Sequence, residues 1–318
     1  MIRVTRKPKA VVYKPTLAQT WADMRRNKLA YLFIAPFIIC FTIFIVLPVL
    51  SATVLSFTHF DSISRPRFVG MRNFIDIVTR DLLLITRVIP NTFIFALAVG
   101  PAGYTLQFIL AWLINCVPQR LKVIFIMGIY LPSIAGGVLV SVVFTVFFSG
   151  DRLGHLNRLL LATGILEHPV AWTQDRQYLL LIMIIVTIWG SMGVGFLSLF
   201  AGMQNVDQQL YESGRIDGIR NPFQELIYIT IPQMKPQMLF SAIMSIVGAL
   251  RAGGIGVALS GQNPTPEYAG QLIQNHIEDF GFARFELGYA TALSFMLLLV
   301  TFAITKVCFH FLGAKDDE

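Results

Sequence analysis

A chain of 318 residues that is 55% hydrophobic and only 14% charged carries far less charge than a soluble domain, in which about a quarter of residues are charged. Its mean hydropathy is +0.66, and several apolar runs reach the roughly 20 residues that cross a bilayer. The formal charge of +7 does not indicate a nucleic-acid partner, because Arg3, Arg6, Lys7, Lys9, Lys14, Arg25, Arg26 and Lys28 crowd the N-terminus against the single acid Asp23. The composition points to an all-α polytopic membrane protein.

The basic tail, residues 1–29, is expected to hold the first span on the cytoplasmic side, as the positive-inside rule requires. It is too long for a cleavable signal peptide, and the apolar stretch behind it exceeds a leader's core. Six spans are predicted, at about 30–57, 90–115, 122–148, 178–203, 237–260 and 286–312. They make up a permease domain over 30–312 and return a short tail, 313–318, to the cytoplasm. The lysines check this topology. Lys7, Lys9, Lys14 and Lys28 lie in the tail, Lys122 and Lys235 in inner loops, and Lys306 and Lys315 at the inner end. The outer loops 58–89, 149–177 and 261–285 contain arginine but no lysine.

Pro36, Pro48, Pro101 and Pro132 sit in or at the edges of spans, where neighbouring helices can satisfy the backbone groups that proline frees. Small residues recur four apart, as in Ser191 and Gly195 or Ser198 and Gly202, a spacing that lets helices approach closely. That accounts better for "GSMGVG" at 190–195 than a nucleotide loop does, since no Lys-Ser/Thr follows. Cys40, Cys116 and Cys308 are widely separated and read as buried, inert thiols.

No G-x-x-x-x-G-K-[ST], H-E-x-x-H or G-x-S-x-G occurs. His59, His155, His168, His276 and His310 are scattered. The predicted span interiors lack the carboxylates and histidines that proton-coupled carriers place there. No catalytic residue and no metal site is expected, and energy for uphill movement must come from another subunit.

The loop 204–236, between the fourth and fifth spans, is polar. Val206, Leu210 and Tyr211 recur at helical spacing behind Asp207, Gly218 can supply a turn, and Asn221-Pro222 suits the start of a second helix. Phe223, Leu226, Ile227 and Thr230 then offer one face before Pro232. Two readings fit this pattern equally: a docking element between spans, or a hairpin lying on the membrane surface.

The segment resembles the cytoplasmic signature loop of ATP-binding-cassette importer permeases, Glu-Ala-Ala followed by Gly and then Ile-x-Leu-Pro. Here it reads Glu212-Ser213-Gly214, Asp217-Gly218, Phe223 and Ile229-Thr230-Ile231-Pro232. Ser-Gly replaces Ala-Ala and Ile replaces Leu; Gly214 would weaken its helix by roughly 1 kcal/mol relative to Ala. "FVGMRNF" at 68–74, "NTFIFAL" at 91–97, "LPSIAGGV" at 131–138, "GHLNRLLLATG" at 154–164, "LFAGMQNV" at 199–206 and "FELGYATALS" at 285–294 are similar to the carbohydrate branch of these permeases, with maltose, glycerol-3-phosphate and oligosaccharide carriers as kin.

The resemblance implies six helices of the type I importer permease fold, with 205–232 as coupling helices. It implies a sister permease, two cytoplasmic ATPase subunits that hold ATP and Mg, an extracytoplasmic binding protein, a bacterial inner-membrane location and a sugar or oligosaccharide cargo. No cofactor is expected on this chain. Glu212 would pair with a basic group of the ATPase, and Gly218 would permit the turn. Candidates for the solute path, chosen by depth and polarity, are Asn91, Gln107, Tyr130, Ser133, Trp189, Ser191 and Arg251. Tyr130 and Trp189 are as well explained by packing. Arg251, placed inside an apolar run, needs a partner: an anionic sugar such as a uronate, a phosphate (as in the alternative cargo, glycerol-3-phosphate or another small anion), Glu286, or an acid of the sister permease.

Overall fold

The computed structural model describes residues 26–312. The basic tail up to residue 25 and the C-terminal tail 313–318 lie outside them. The chain divides into two units at Val54/Leu55.

The first unit is helix α1 (Lys28–Leu55), whose register is interrupted by a π-helical turn at Thr42–Val46. Its side chains are apolar all round, which suits a helix in lipid. Its 28 residues extend about 42 Å at 1.5 Å per residue, enough to cross a hydrocarbon core of about 30 Å.

The second unit begins with two short antiparallel strands, β1 (Thr58–His59) and β2 (Arg67–Phe68), in which Thr58 faces Phe68. Gly70 turns the chain at φ 61° into α2 (Arg72–Thr79). The buried Asn73 amide then donates to the carbonyls of Ser56 and Thr58 at 2.9 and 2.8 Å. These contacts explain why "FVGMRNF" has both a glycine and an asparagine. Gly288 closes the corner from the other side, since a Cβ there would collide with the Thr58 carbonyl.

Helix α3 (Leu84–Asn115) buries one stripe, Thr92, Phe95, Ala96, Val99, Gly103, Gln107, Ala111 and Ile114, at the three- and four-residue spacing of a single helical face. Helix α4 (Gln119–Phe147) covers the run expected at 122–148. It bends by 99° around Gly136, whose φ of 77° is left-handed, and Pro132 one turn earlier removes a backbone donor. A short helix α5 (His155–Ala162) follows, then α6 (Arg176–Gly190) and α7 (Val194–Gln204), separated by a break at Ser191–Gly193. The Asp175 carboxylate caps α6 by accepting from the Gln177 N–H at 2.8 Å.

After the hairpin described below, α10 (Lys235–Leu250) spans only 16 residues, about 24 Å. The chain then leaves the helix at Arg251–Gly254 and resumes as α11 (Ile255–Ser260). The run expected at 237–260 is therefore broken. Gly254 sits at φ 74°, and a Cβ on Gly253 would lie 2.6 Å from Gln274 Cγ. An apolar periodicity cannot register such a break, because Ala, Gly and Ile on either side read as continuous. A short α12 (Ile273–Glu278) leads into the long α13 (Leu287–Leu312).

Among the described residues, four helical stretches are long and apolar enough to cross a bilayer, namely α1, α3, α6 and α7 taken together, and α13, and five if the bent α4 is one span; α10 is a shorter apolar helix. The main core lies where α3, α6, α10 and α11 meet, around Phe95, Leu179, Met183, Val186, Leu259 and Leu272. A second core joins α3 to α7 through Ala111, Phe196, Leu199 and Met234. The close helix approach expected from the small residues is present: Cβ atoms on Gly195 and Gly202 would meet Gln107 and Gln237 at 2.6 and 3.0 Å. The thiols differ from expectation. Cys40 and Cys116 are exposed and Cys308 is half-buried: Cys40 stands on an exposed face of the apolar α1, and Cys116, just past the end of α3, lines the cavity beside the hairpin.

Candidate functional site

The polar loop between α7 and α10 folds as a helical hairpin. Asp207 caps α8 (Gln208–Ile216) by accepting from the Gln209 N–H at 2.9 Å. Gly218 makes the turn at φ 99°, a conformation that a side chain strains. Asn221 then caps α9, which starts at Pro222 and runs through a π-helical turn at Leu226–Thr230 to Gln233. The Gln224 side chain accepts in return from the Arg220 N–H at 2.9 Å. Leu226, Ile229 and Thr230 are the buried face. Phe223 and Ile227, expected on that face, are 60% and 42% exposed, because the π-helical turn adds a residue and shifts the register.

Three contacts fasten the hairpin's two arms. The Tyr211 hydroxyl lies 2.9 Å from Thr230 Oγ1, and Arg215 Nε donates to Glu225 Oε1 at 3.1 Å. Gly214 is buried, and a Cβ there would stand 2.7 Å from Ile229 Cδ1 and 3.1 Å from Ile219 Cδ1. The glycine that weakens α8 locally is thus what lets α9 lie against it. Glu212, Ser213, Asp217 and Pro232 are exposed. Ser213 donates only to the Leu210 carbonyl of its own helix at 3.1 Å. Glu212 makes no hydrogen bond or ion pair among the described residues. Ile216, one helical turn along the same helix, is 87% exposed, while Phe223 on the other arm meets the Trp112 ring edge-on at 6.5 Å.

The seven path candidates separate. Gln107 and Ser191 line a cavity of about 270 Å³ enclosed by α3, the α6–α7 break and α10. Ser133 lines a second, of about 200 Å³, between the α4 bend and the α10–α11 break. The two share Thr187 and Gly190, so they adjoin. Gln107 is 4% exposed and ties three elements: its amide donates to the Ser191 carbonyl at 2.8 Å and accepts from the Ser241 hydroxyl at 3.0 Å. Trp189 and Tyr130 line neither cavity. Trp189 is 48% exposed and meets Phe144 edge-on at 5.2 Å; Tyr130 is half-buried, its carbonyl accepting from Ser133.

Asn91 serves elsewhere. Its amide donates to the Tyr268 carbonyl at 2.9 Å, and next to it Thr92 Oγ1 accepts from the Ile273 N–H at 2.9 Å. The "NTFIFAL" motif therefore clamps the loop 268–273. Arg251 is exposed just beyond the last turn of α10 rather than inside a span, and it forms no ion pair with Glu286, which is also exposed. Its position next to Ala252 and Gly253 of the second cavity leaves the solute and sister-permease partners open.

The sequence reading missed a buried polar junction. Asp81 Oδ2 lies 2.7 Å from both His276 Nε2 and the Tyr289 hydroxyl, while Oδ1 accepts from the Leu84 N–H at 2.9 Å. His276 is 1% exposed. Burial alone would raise the Asp81 carboxyl, but the hydrogen bonds from His276, Leu84 and Tyr289 outweigh it and bring it down to about 2. The three residues are 13 to 208 positions apart in pairs no periodicity connects; an aspartate immediately before an apolar run was the only visible signal. No cluster of three or more metal-ligating side chains occurs among the described residues.

Apolar helices broken at small residues, two adjoining clefts and a capped polar hairpin between two spans define a polytopic permease. Residues 116–308 match the family model of the binding-protein-dependent transport system inner membrane component, and the chain belongs to that family. It is 26% identical to the arabinooligosaccharides transport system permease protein AraP of Bacillus subtilis over 94% of this chain and 93% of that one. It is 28% identical to the lactose transport system permease protein LacF of Rhizobium radiobacter over 88% and 92%. Its fold matches a subunit of a bacterial ABC transporter involved in the import of the acidic polysaccharide alginate, with a TM-score of 0.77, 23% identity, and coverage of 94% of this chain and 99% of that one. A second structure, of the alginate transporter with an alginate pentasaccharide-bound periplasmic protein, matches with a TM-score of 0.75 and 23% identity over 91% and 96%.

Proposed function

We propose that this chain is one of two membrane permeases in an ATP-driven importer of an oligosaccharide, receiving its cargo from an extracytoplasmic binding protein. The hairpin 207–233 is the carrying observation. Its arms are joined by Tyr211–Thr230, Arg215–Glu225 and the Gly214–Ile229 contact, yet Glu212 has no ion-pair or hydrogen-bond partner among the described residues. A pair of joined arms with an unpaired charge suits transmission of force from a cytoplasmic ATPase, because breaking a partly buried ion pair there would cost on the order of 3–5 kcal/mol. Both termini then lie in the cytoplasm, and ATP and Mg belong to the ATPase subunits. The oligosaccharide cargo is supported by the named cargoes of AraP and LacF and by the length over which they align.

Solute would pass the adjoining cavities at the α4 bend, the α6–α7 break and the α10–α11 break, since irregular backbone at membrane depth is tolerated where it lines a cavity. Ser133, Ser191 and Gln107 are the polar groups there. Arg251 would sit at the outer mouth of that path or against the sister permease.

Two measurements test the proposal. Purification of the wild type and of Glu212→Lys in mild detergent should show an ATPase and a second permease with the former and loss of the ATPase from the latter. Retention of the ATPase by Glu212→Lys would remove the coupling role. With the assembled complex, ATP hydrolysis in the presence of the binding protein should rise with arabino-, galacto- or uronate-oligosaccharides. Stimulation by glycerol phosphate alone would overturn the oligosaccharide assignment.

A further inference from the structure

Where the hairpin joins the helix bundle, a cavity of about 400 Å³ opens between the end of α3, the start of α4, the end of α7 and both hairpin arms. Its size falls in the range of small-molecule sites, about 300–1,000 Å³. Trp112, Asn115, Lys122, Gln204, Tyr211 and Arg215 supply its polar and aromatic wall.

Three charged side chains line it: Lys122, Arg215 and Glu225. Arg215 and Glu225 neutralise each other at 3.1 Å. Lys122 is half-buried and forms no ion pair among the described residues. Its ammonium touches only Asn115 Oδ1, at 3.3 Å, and that oxygen already accepts from Gln204 Nε2 at 2.6 Å. An ammonium partly withdrawn from water with one shared amide as its neighbour is undercompensated. The cavity therefore holds one net positive charge with donor capacity to spare. The Tyr211 hydroxyl and the Arg215 guanidinium lie on the same wall, and the Trp112 indole is apolar cover.

We propose that this cavity binds a phosphate-bearing anion seated on Lys122. Its source is either the headgroup of an inner-leaflet phospholipid or a soluble phosphate ester of the cytoplasm. Both sources share the chemistry that an ammonium, a guanidinium and a hydroxyl recognise, and Trp and Lys at helix ends mark the depth at which headgroups lie. An anion there bridges the start of α4 to α8 and ties the hairpin to the bundle, so its occupancy sets how firmly hairpin movement is passed to the spans. The cytoplasmic setting rests on the coupling role proposed above.

The test is amine labelling of the assembled complex in nanodiscs, with Lys122 read against Lys235 by peptide mass spectrometry. Three conditions are compared: phosphatidylcholine alone, phosphatidylcholine with phosphatidylglycerol, and phosphatidylcholine with added inorganic phosphate. The expected result is slower labelling of Lys122 with phosphatidylglycerol, which assigns the lipid, or with phosphate, which assigns the soluble anion. Native mass spectrometry should then show retention of that ligand reduced about tenfold in Lys122→Ala and kept in Lys122→Arg, as for loss of a charge-assisted hydrogen bond. Equal labelling under all three conditions overturns the proposal. So does protection in phosphatidylcholine alone accompanied by a crosslink from Lys122 to a carboxylate of the ATPase. Glu212→Lys separates the two readings: release of the ATPase with Lys122 protection unchanged supports both, and retention of the ATPase removes the coupling role while the anion site stands.

Discussion

Gly195→Ala probes the contact that joins three helices beneath the central cavity. The added methyl would lie 2.6 Å from Gln107 Oε1 and 2.8 Å from Ser241 Oγ, where ordinary contact begins near 3.4 Å. The Gln107 side chain has to rotate away. In doing so it gives up the bonds to the Ser191 carbonyl at 2.8 Å and from the Ser241 hydroxyl at 3.0 Å. Interhelical hydrogen bonds in membranes are worth about 0.6 kcal/mol on average and up to about 1.7, so two together predict a loss of about 1–2 kcal/mol. Equilibrium unfolding in mixed micelles measures it. Gln107→Ala removes the first of the two collisions, so in that background Gly195→Ala should cost less by about 1 kcal/mol. Strict additivity of the two substitutions would refute the reasoning, because it would mean that residue 195 acts through something other than Gln107.

Asn157 is fully buried and makes five hydrogen bonds, to the carbonyls of Ser149, Asp151 and Val170 and from Val170 N–H and Trp172 Nε1. Asn157→Ala should cost about 3 kcal/mol by stranding buried partners and should expose the 149–173 loop to protease; an unchanged digestion rate would contradict this. The Asp81 carboxyl has an ordinary value of 3.8 that is lowered to about 2 in the fold, so it stabilises the fold above pH 4. That contribution, about 2 kcal/mol, is lost as pH falls from about 4 to 2, and Asp81→Asn should abolish this part of the acid dependence of unfolding. Gly218→Val forces a β-branched residue to φ 99° at a cost of about 1–2 kcal/mol. It should weaken ATPase co-purification more than Gly218→Asn, since asparagine tolerates left-handed backbone.

The hairpin was legible because its signals are local. Asp207 and Asn221 are cap residues two and three positions from the groups they satisfy, and Gly218 marks a turn inside a short polar window. The face of α9 was only partly legible. Leu226 and Thr230 are buried as expected, but the π-helical turn that turns Phe223 and Ile227 outward leaves no mark in a 3.6-residue pattern. The path candidates were chosen by depth and polarity, which identify a residue that needs a partner without saying who supplies it. Gln107 and Ser191 proved to be each other's partners, and Asn91 belongs to a loop 177 residues away.

By itself the amino-acid sequence determined that the chain lives in a membrane, where its apolar runs lie, and that a capped polar hairpin interrupts them. Those properties follow from transfer energies and capping rules that act within a few turns of helix. Only the tertiary structure decided that α4 and α10 break, that Asp81, His276 and Tyr289 meet, and that Lys122 is left uncompensated beside a neutralised Arg215–Glu225 pair. Each of these depends on which groups from distant segments reach hydrogen-bonding distance, and that is settled by how the helices pack, not by the composition of any one of them.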